Sequence, residues 1–293
     1  MTVIGPPVHV VRDVVARALA EDIGPLGDLT AALVPATATA TVAVVARAAG
    51  VLAGTACATE VFAQVDPTVA VTWRAAEGAR IAPGQVVGSV DGPLRAVLTG
   101  ERTALNFLCH LSGVATATSA FVDAVAGTGA RVWDTRKTIP GLRALEKAAV
   151  RAGGGVSHRG TLSDFVLVKD NHLAGLSITD AVARAQALWP GRVVEVECDR
   201  IDQLEEAIAA GAGMVLLDNM DPAQVRECVD LTRAKAPRGC LVEVSGGVTL
   251  ETVRSLAEAG ADLISASAIT QSAPALDLGF DITTDSAGAV QEH

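Results

Sequence analysis

From residue 131 onward one unit recurs along the chain: a short apolar run, polar residues at its end, then a stretch with helical spacing. The apolar runs lie at residues 131–134, 165–169, 193–197, 214–217, 241–244 and 263–265. Helical spacing follows at 201–210, 222–233 and 250–259. Parallel neighbours in a sheet need a crossover between them, so strands alternating with helices predict a parallel α/β sheet. About six such strands fall short of the eight that close a full barrel, so the expected fold is an open, incomplete α/β barrel of TIM-like type. A doubly wound open sheet is the alternative.

The first third reads differently. Helical spacing covers residues 11–20. Short β-prone runs at 41–46, 69–73, 85–90 and 94–98 are broken by Gly and Pro, with a helix predicted at 56–64. Leu105, Leu108 and Leu111 share one face of a helix predicted over 101–111. These elements predict a separate N-terminal α/β domain over residues 1–113, with a boundary near Ser112-Gly113 and the barrel over 114–270.

Composition narrows the class of partner. The net charge of −10 and 3% aromatic content disfavour nucleic acid and anionic membrane as partners. The five cysteines are scattered and form no C-x-x-C, so neither a disulfide framework nor a zinc site is expected, and a reducing cytoplasm fits. No signal peptide is read at the N-terminus. No apolar run is expected to reach the length of a membrane span. The richest, at 42–58, is interrupted by Arg47, Gly50 and Gly54.

Polar residues cluster where the strands end. Asp134, Thr135, Arg136 and Lys137 follow the first run, and Lys169, Asp170, Asn171 and His172 the second. Glu195 and Glu197 sit in Val-Val-Glu-Val-Glu, Asp218 and Asn219 follow Leu217, and Glu243 and Ser245 sit in Val-Glu-Val-Ser. Residues two apart in a strand share a face, so Glu195 and Glu197 point the same way, as do Glu243 and Ser245. In parallel α/β folds the carboxyl ends of the strands build the site. Ser265 ends the sixth run. Any one of these residues has the ordinary alternative of capping a helix in a surface loop, but six converging strands make that a poor account of the set.

Local charge adds a second indication. Between Arg131 and His172 there are eight basic residues against four acidic ones, in an acidic chain. Such an island suits a small polyanion, since Arg offers a planar fork and Lys a point charge. Arg143, Lys147 and Arg151 read as a solvated helical face. Ser245-Gly246-Gly247 precedes a helix, and Ser265-Ala266-Ser267 follows the last strand; backbone N–H groups in such places hold phosphate, though a plain turn explains a lone Ser-Gly-Gly equally well.

Taken in order, these residues resemble the quinolinate phosphoribosyltransferase family. The resemblance runs through Glu101-Arg102-Thr103-Ala104-Leu105-Asn106-Phe107-Leu108, Leu111-Ser112-Gly113 and Asp134-Thr135-Arg136-Lys137-Thr138. It continues through Gly153-Gly154-Gly155 with His158-Arg159, Lys169-Asp170-Asn171-His172, Glu195-Val196-Glu197, Leu217-Asp218-Asn219 and Glu243-Val244-Ser245-Gly246-Gly247. It covers nearly the whole chain and implies an N-terminal α/β sandwich, an open α/β barrel, and a C-terminal tail (271–293) returning to the first domain. It implies a homodimer with Arg102 supplied by the partner, and joining of quinolinate to phosphoribosyl pyrophosphate with Mg²⁺. The products would be nicotinate mononucleotide, pyrophosphate and carbon dioxide, on the route to NAD. Arg102, Thr135, Arg136, Lys137, His158, Arg159 and Lys169 would surround the substrate acid. Glu197 and Asp218 would meet the ribose hydroxyls and the metal-bound pyrophosphate. Ser245, Gly246, Gly247, Ser265, Ala266 and Ser267 would hold the 5′-phosphate. Lys137, Lys169, Glu197 and Asp218 would be catalytic.

The chain departs from the family pattern at Ile139, Ala148, Ala152 and Ser267, the last adding a side chain where backbone should approach phosphate. Three rival readings remain: a related phosphoribosyltransferase acting on another acid such as nicotinate, a non-catalytic binding protein that keeps the pocket, and an aldolase-like barrel using a Schiff-base lysine.

Overall fold

A computed structural model describes residues 4–236 and 239–284. Its elements run α1 (Val8–Asp22), β1 (Thr39–Ala46), β2 (Gly50–Val51), α2 (Thr55–Val65), β3 (Ala70–Trp73), β4 (Arg80–Ile81), β5 (Val86–Pro93) and α3 (Leu94–Ala124). They continue β6 (Arg131–Trp133), α4 (Arg143–Ala152), β7 (Val166–Val168), α5 (Asp170–Leu173), α6 (Ile178–Leu188), β8 (Val194–Cys198) and α7 (Ile201–Ala209). The chain ends with β9 (Met214–Asp218), α8 (Pro222–Lys235), β10 (Leu241–Ser245), α9 (Val253–Glu258), β11 (Leu263–Ser265) and β12 (Leu278–Thr284). By internal contacts these form two units, one of residues 1–117, 140–153 and 273–293, the other of 118–139 and 154–272.

The first unit is built on an antiparallel sheet in the order β12-β1-β5-β3. Val42 and Val44 of β1 are fully buried, as the alternation of a one-sided strand requires. Phe62 of α2 stacks on Phe280 of β12 with centroids 6.1 Å apart. Residues 140–153 join this unit although they follow β6 in sequence. His110 of α3 meets the buried Glu146 of α4 at 2.8 Å, and Arg151 donates to the Ile4 carbonyl at 3.0 Å.

Two expectations fail here, the strand at 94–98 and the absence of any apolar run of membrane-span length. Residues 94–98 are not a strand but the first turn and more of α3, and the helix runs unbroken through Ser112-Gly113. Glycines at 100 and 113 read as breaks, yet each is needed for close packing. A Cβ at Gly100 would lie 2.8 Å from the Phe62 ring, and one at Gly113 would lie 2.1 Å from the Pro274 carbonyl oxygen. At 31 residues α3 is also long and apolar enough to cross a membrane by length and composition, contrary to the expectation that no run is. Its most apolar window is 61% buried inside the protein, as suits a core helix.

The second unit carries a six-stranded parallel sheet in the order β6-β11-β10-β9-β8-β7. Apart from β6, which lies beyond β11, the strands follow one another without reversal. That is the winding of a barrel and not of a doubly wound sheet, whose order reverses at a switch point. β6 and β7 are the two edges and do not pair with each other, so the barrel is open. The repeating strands and helices fall within a few residues of the runs read from sequence. α5 and α6 are additional. α4 is not the solvated face expected of Arg143, Lys147 and Arg151: Lys147 is 6% exposed and neither arginine is fully exposed, because the helix packs into the first unit. β12 pairs β1 antiparallel from Leu278↔Ala46 to Thr284↔Ala40. The rest of the C-terminal tail, residues 285–293, lies outside the described residues.

Candidate active site

Register decides which strand-end residues share a face. Leu167 pairs with Glu195, Glu197 with Leu216, Leu216 with Glu243, and Asp218 with Ser245. Residues paired on neighbouring strands point to one side, as do residues two apart. Glu195, Glu197, Asp218, Glu243, Ser245 and Ser265 therefore lie on one face of the second unit's sheet. Trp133, Met214 and Leu263 form its apolar floor, each no more than 8% exposed.

At the open mouth the carboxylates meet cations. Lys169, just past β7, forms an ion pair with Glu197 at the end of β8. Arg136, Arg159 and Lys169 line one cavity of about 840 Å³, with His172 beside them and Leu188 and Trp189 on its apolar side. That size suits a small organic ligand. The Arg159 guanidinium packs over the Phe165 ring at 5.8 Å. Burial, and next the like charge of Arg136, pull the Arg159 pKa below its ordinary value. Two guanidinium groups held this close favour an anion between them.

Beneath the mouth lies a buried charged layer that the site residues read from sequence include only in part. The His158 ring stands edge-on between Trp133 and Phe165, with centroids 4.5 and 4.9 Å away. Its Nε2 is 3.4 Å from Glu195 and 3.6 Å from Glu243, and its backbone N–H donates to Asp134 at 2.9 Å. Glu195 and Asp134 are fully buried and Glu243 is 1% exposed. Burial pushes the Glu195 carboxyl up to about 7, and burial followed by the charge of Glu195 pushes Glu243 well above the usual carboxylate range. Glu195 and Glu243 sit two residues before Glu197 and Ser245, so alternation marked their face. Nothing local marked their burial. His158, expected against the substrate acid, is itself 9% exposed and turns Nε2 toward these carboxyls.

The phosphate candidates form a second cluster. The Ser265 hydroxyl donates to Ser245 Oγ at 3.0 Å, and the Asn219 N–H donates to the Ser245 carbonyl at 3.1 Å. Gly246 has φ +89°, and a Cβ there would lie 2.3 Å from Asn219 Oδ1 and 2.7 Å from its backbone nitrogen. Glycine is thus required twice, by conformation and by space. Gly246→Ala should raise KM for the phosphate-bearing substrate about tenfold without loss of secondary structure, since the strain of left-handed alanine falls on this loop. An unchanged KM removes the loop from the phosphate site. Ser267 opens a 3-10 turn and is not among the described residues with positive φ, so a side chain is accommodated there without backbone strain. Ala266 is 3% exposed, leaving its backbone as its polar part.

Thr135 and Lys137 complete the second unit's set. Thr135 Oγ1 accepts from the Lys137 N–H at 2.9 Å, and the Lys137 side chain is exposed. Arg102 belongs to the first unit, exposed on α3. Glu197 and Asp218 suit a hard divalent cation: both offer carboxylate oxygens, both are half-buried, and register puts them on one face of adjacent strand ends.

Comparison with known proteins divides the chain by sequence at residues 112–114, whereas the compact units also take 140–153 and 273–281 into the first unit. Residues 28–112 match the N-terminal domain of quinolinate phosphoribosyl transferase and residues 114–281 its C-terminal domain. A Mycobacterium leprae protein named nicotinate-nucleotide pyrophosphorylase (carboxylating) is 44% identical over 92% of this chain and 96% of its own length. The human protein of that name is 39% identical over 86% of this chain and 85% of its own. The solved nicotinate-nucleotide pyrophosphorylase of Francisella tularensis superposes with a TM-score of 0.90 at 37% identity, covering 97% of this chain and 99% of that one.

Proposed function

The chain belongs to the quinolinate phosphoribosyltransferase family, and we propose that it joins quinolinate to phosphoribosyl pyrophosphate in NAD biosynthesis. The products are nicotinate mononucleotide, pyrophosphate and carbon dioxide. The observation that carries this reading is the gathering of Arg136, Arg159 and Lys169 in one cavity at the strand ends. Quinolinate is a dianion, and paired guanidinium forks with a lysine match two carboxylates better than one. Lys137 belongs to the same set in this reading, with Thr135 shaping the turn, and His158 supports it from the buried layer beneath, where it faces Glu195 and Glu243. Arg102 comes from the second copy of a homodimer; sedimentation as a monomer at concentrations that sustain turnover rules that out.

The chemistry follows from the charges. The ring nitrogen bonds to the ribose C1 as the C1–O bond to pyrophosphate breaks, and the leaving group takes that electron pair. Positive charge grows on the ribose, where Glu197 and Asp218 stabilise it. The bond from the ring to its adjacent carboxylate then breaks, carbon dioxide leaves, and the electron pair stays on the ring carbon until a proton arrives. Lys137 and Lys169 supply the cations that stabilise this pair. Ser245, Gly246, Gly247, Ser265, Ala266 and Ser267 hold the 5′-phosphate, largely through backbone N–H groups. Glu197 and Asp218 would hold Mg²⁺, which when bound supplies charge neutralisation for the departing pyrophosphate.

Release of carbon dioxide and nucleotide is to be measured with quinolinate and, in parallel, with nicotinate. Turnover with quinolinate alone is expected. Turnover with nicotinate alone transfers the reading to a monocarboxylate enzyme, and no turnover by folded dimer transfers it to a binding role. Chelating divalent ions should abolish turnover and added Mg²⁺ restore it; undiminished turnover in chelator removes the metal from the scheme. A reducing compartment such as the cytoplasm belongs to the same proposal, on the scattered, odd-numbered cysteines that form no C-x-x-C.

A further inference from the structure

Thr270 has no place in the scheme above, yet it touches two parts of it. It lies at the end of the 3-10 turn Ser267–Ile269, directly after the loop assigned to the 5′-phosphate. Its side chain is fully buried. Its Oγ1 donates to the Lys137 carbonyl at 2.7 Å, across 133 residues of sequence. Its own N–H donates to the Ser267 carbonyl at 3.2 Å, closing the turn. On the other side of the same lysine, the Lys137 N–H donates to Thr135 Oγ1 at 2.9 Å. The backbone of Lys137 is thus held at both ends by threonine hydroxyls, while its side chain is exposed toward solvent. One of those hydroxyls is part of the phosphate loop's own turn.

We infer that Thr270 is a positioning residue that couples the two substrate subsites: phosphate bound on the loop at 265–267 sets the Thr270 turn, and Thr270 sets the backbone from which Lys137 reaches the substrate acid. The inference rests on the assignment of that loop to the 5′-phosphate and of Lys137 to the acid. A buried hydroxyl bonded to a carbonyl is directional, so a shift of the turn is passed on as a shift of the lysine's root. Coupling of this kind is reciprocal: ribose phosphate must strengthen binding of the acid by the same factor as the acid strengthens binding of ribose phosphate. The chemical benefit is order. Lys137 is brought to its working position only when the phosphoribosyl group is in place.

The test uses equilibrium binding, which needs no turnover. Quinolinate affinity is measured with and without saturating ribose 5-phosphate in the wild type, Thr270→Val and Thr270→Ser. One hydrogen bond of ordinary strength supports a coupling factor of about fivefold. Wild type and Thr270→Ser should show it. Thr270→Val, which keeps the shape and loses the hydroxyl, should bring the factor to about one. A merely structural threonine would weaken both affinities, or the melting temperature, and leave their ratio untouched. Backbone hydrogen exchange of the wild type covers the case in which Thr270→Val fails to fold. Ribose 5-phosphate should slow exchange at residues 265–270 and also at 135–138. Slowing at 265–270 without any at 135–138, or full coupling in Thr270→Val, overturns the inference while leaving the phosphate site standing. No slowing at 265–270 overturns both.

Discussion

Lys137→Ala should lower kcat about a hundredfold or more while the melting temperature stays within a degree or two of the wild type, the cost expected for removing one preorganised charge from a developing anion. The two halves of that expectation have separate grounds. The Lys137 side chain is exposed, so its removal leaves no buried cavity or orphaned charge. The backbone contacts of residue 137, to Thr135 and Thr270, use only its N–H and carbonyl and survive the substitution. What is lost is a cation whose root those two bonds fix. Lys137→Arg should recover only part of the rate, because a planar fork does not present the point charge of an ammonium. Steady-state kinetics with quinolinate beside a thermal melt decide the matter. Near-normal kcat in Lys137→Ala leaves Lys169 as the sole lysine for the ring carbanion.

The second large effect is on stability, at Gly113→Ala. Within a helix this exchange ordinarily stabilises by about 1 kcal/mol. Here the sign reverses. The new Cβ would lie 2.1 Å from the Pro274 carbonyl oxygen and 2.9 Å from the Ala275 Cα, both of them backbone. The following residue, Leu276, donates its N–H to the Cys109 carbonyl at 2.9 Å, and β12 begins two residues later. Relief of the clash must therefore stretch that bond or displace the approach of β12 to β1. Overpacking of this kind costs about 1–3 kcal/mol, and backbone that cannot rotate away puts the cost at the upper end. The melting temperature should fall by roughly 5 °C or more. Amide exchange in β12 should rise with it. A variant that melts higher than the wild type would show that residues 274–275 do not pack on α3.

Much of this protein was legible from local pattern. The strand and helix periods of residues 131–265 give the barrel units, because a side chain's face depends only on its spacing from its neighbours. The polar residues at those strand ends follow from the same rule, and so does the shared face of Glu197 and Glu195. The N-terminal region was harder. Residues 94–98 are equally apolar in a strand or a helix, and Gly100 and Gly113 carry the look of breaks when no partner is in view. Their real partners are Phe62, Pro274 and Ala275, up to 162 residues away in sequence.

The sequence by itself determined which residues alternate, which face each polar group takes within its own strand, and that parallel strands linked by helices must result. Tertiary structure alone decided the neighbour relations. It put β6 beside β11, which leaves β7 as an open edge. It brought α4 into the first unit through Glu146 and His110, and drew Glu195, Glu243 and His158 into one buried layer. It also placed the Thr270 hydroxyl on the Lys137 carbonyl. The physical reason is that periodicity is a property of the chain over a few residues. Register, burial and long-range hydrogen bonds are set by which distant surfaces pack together, and no spacing within a segment records its partner.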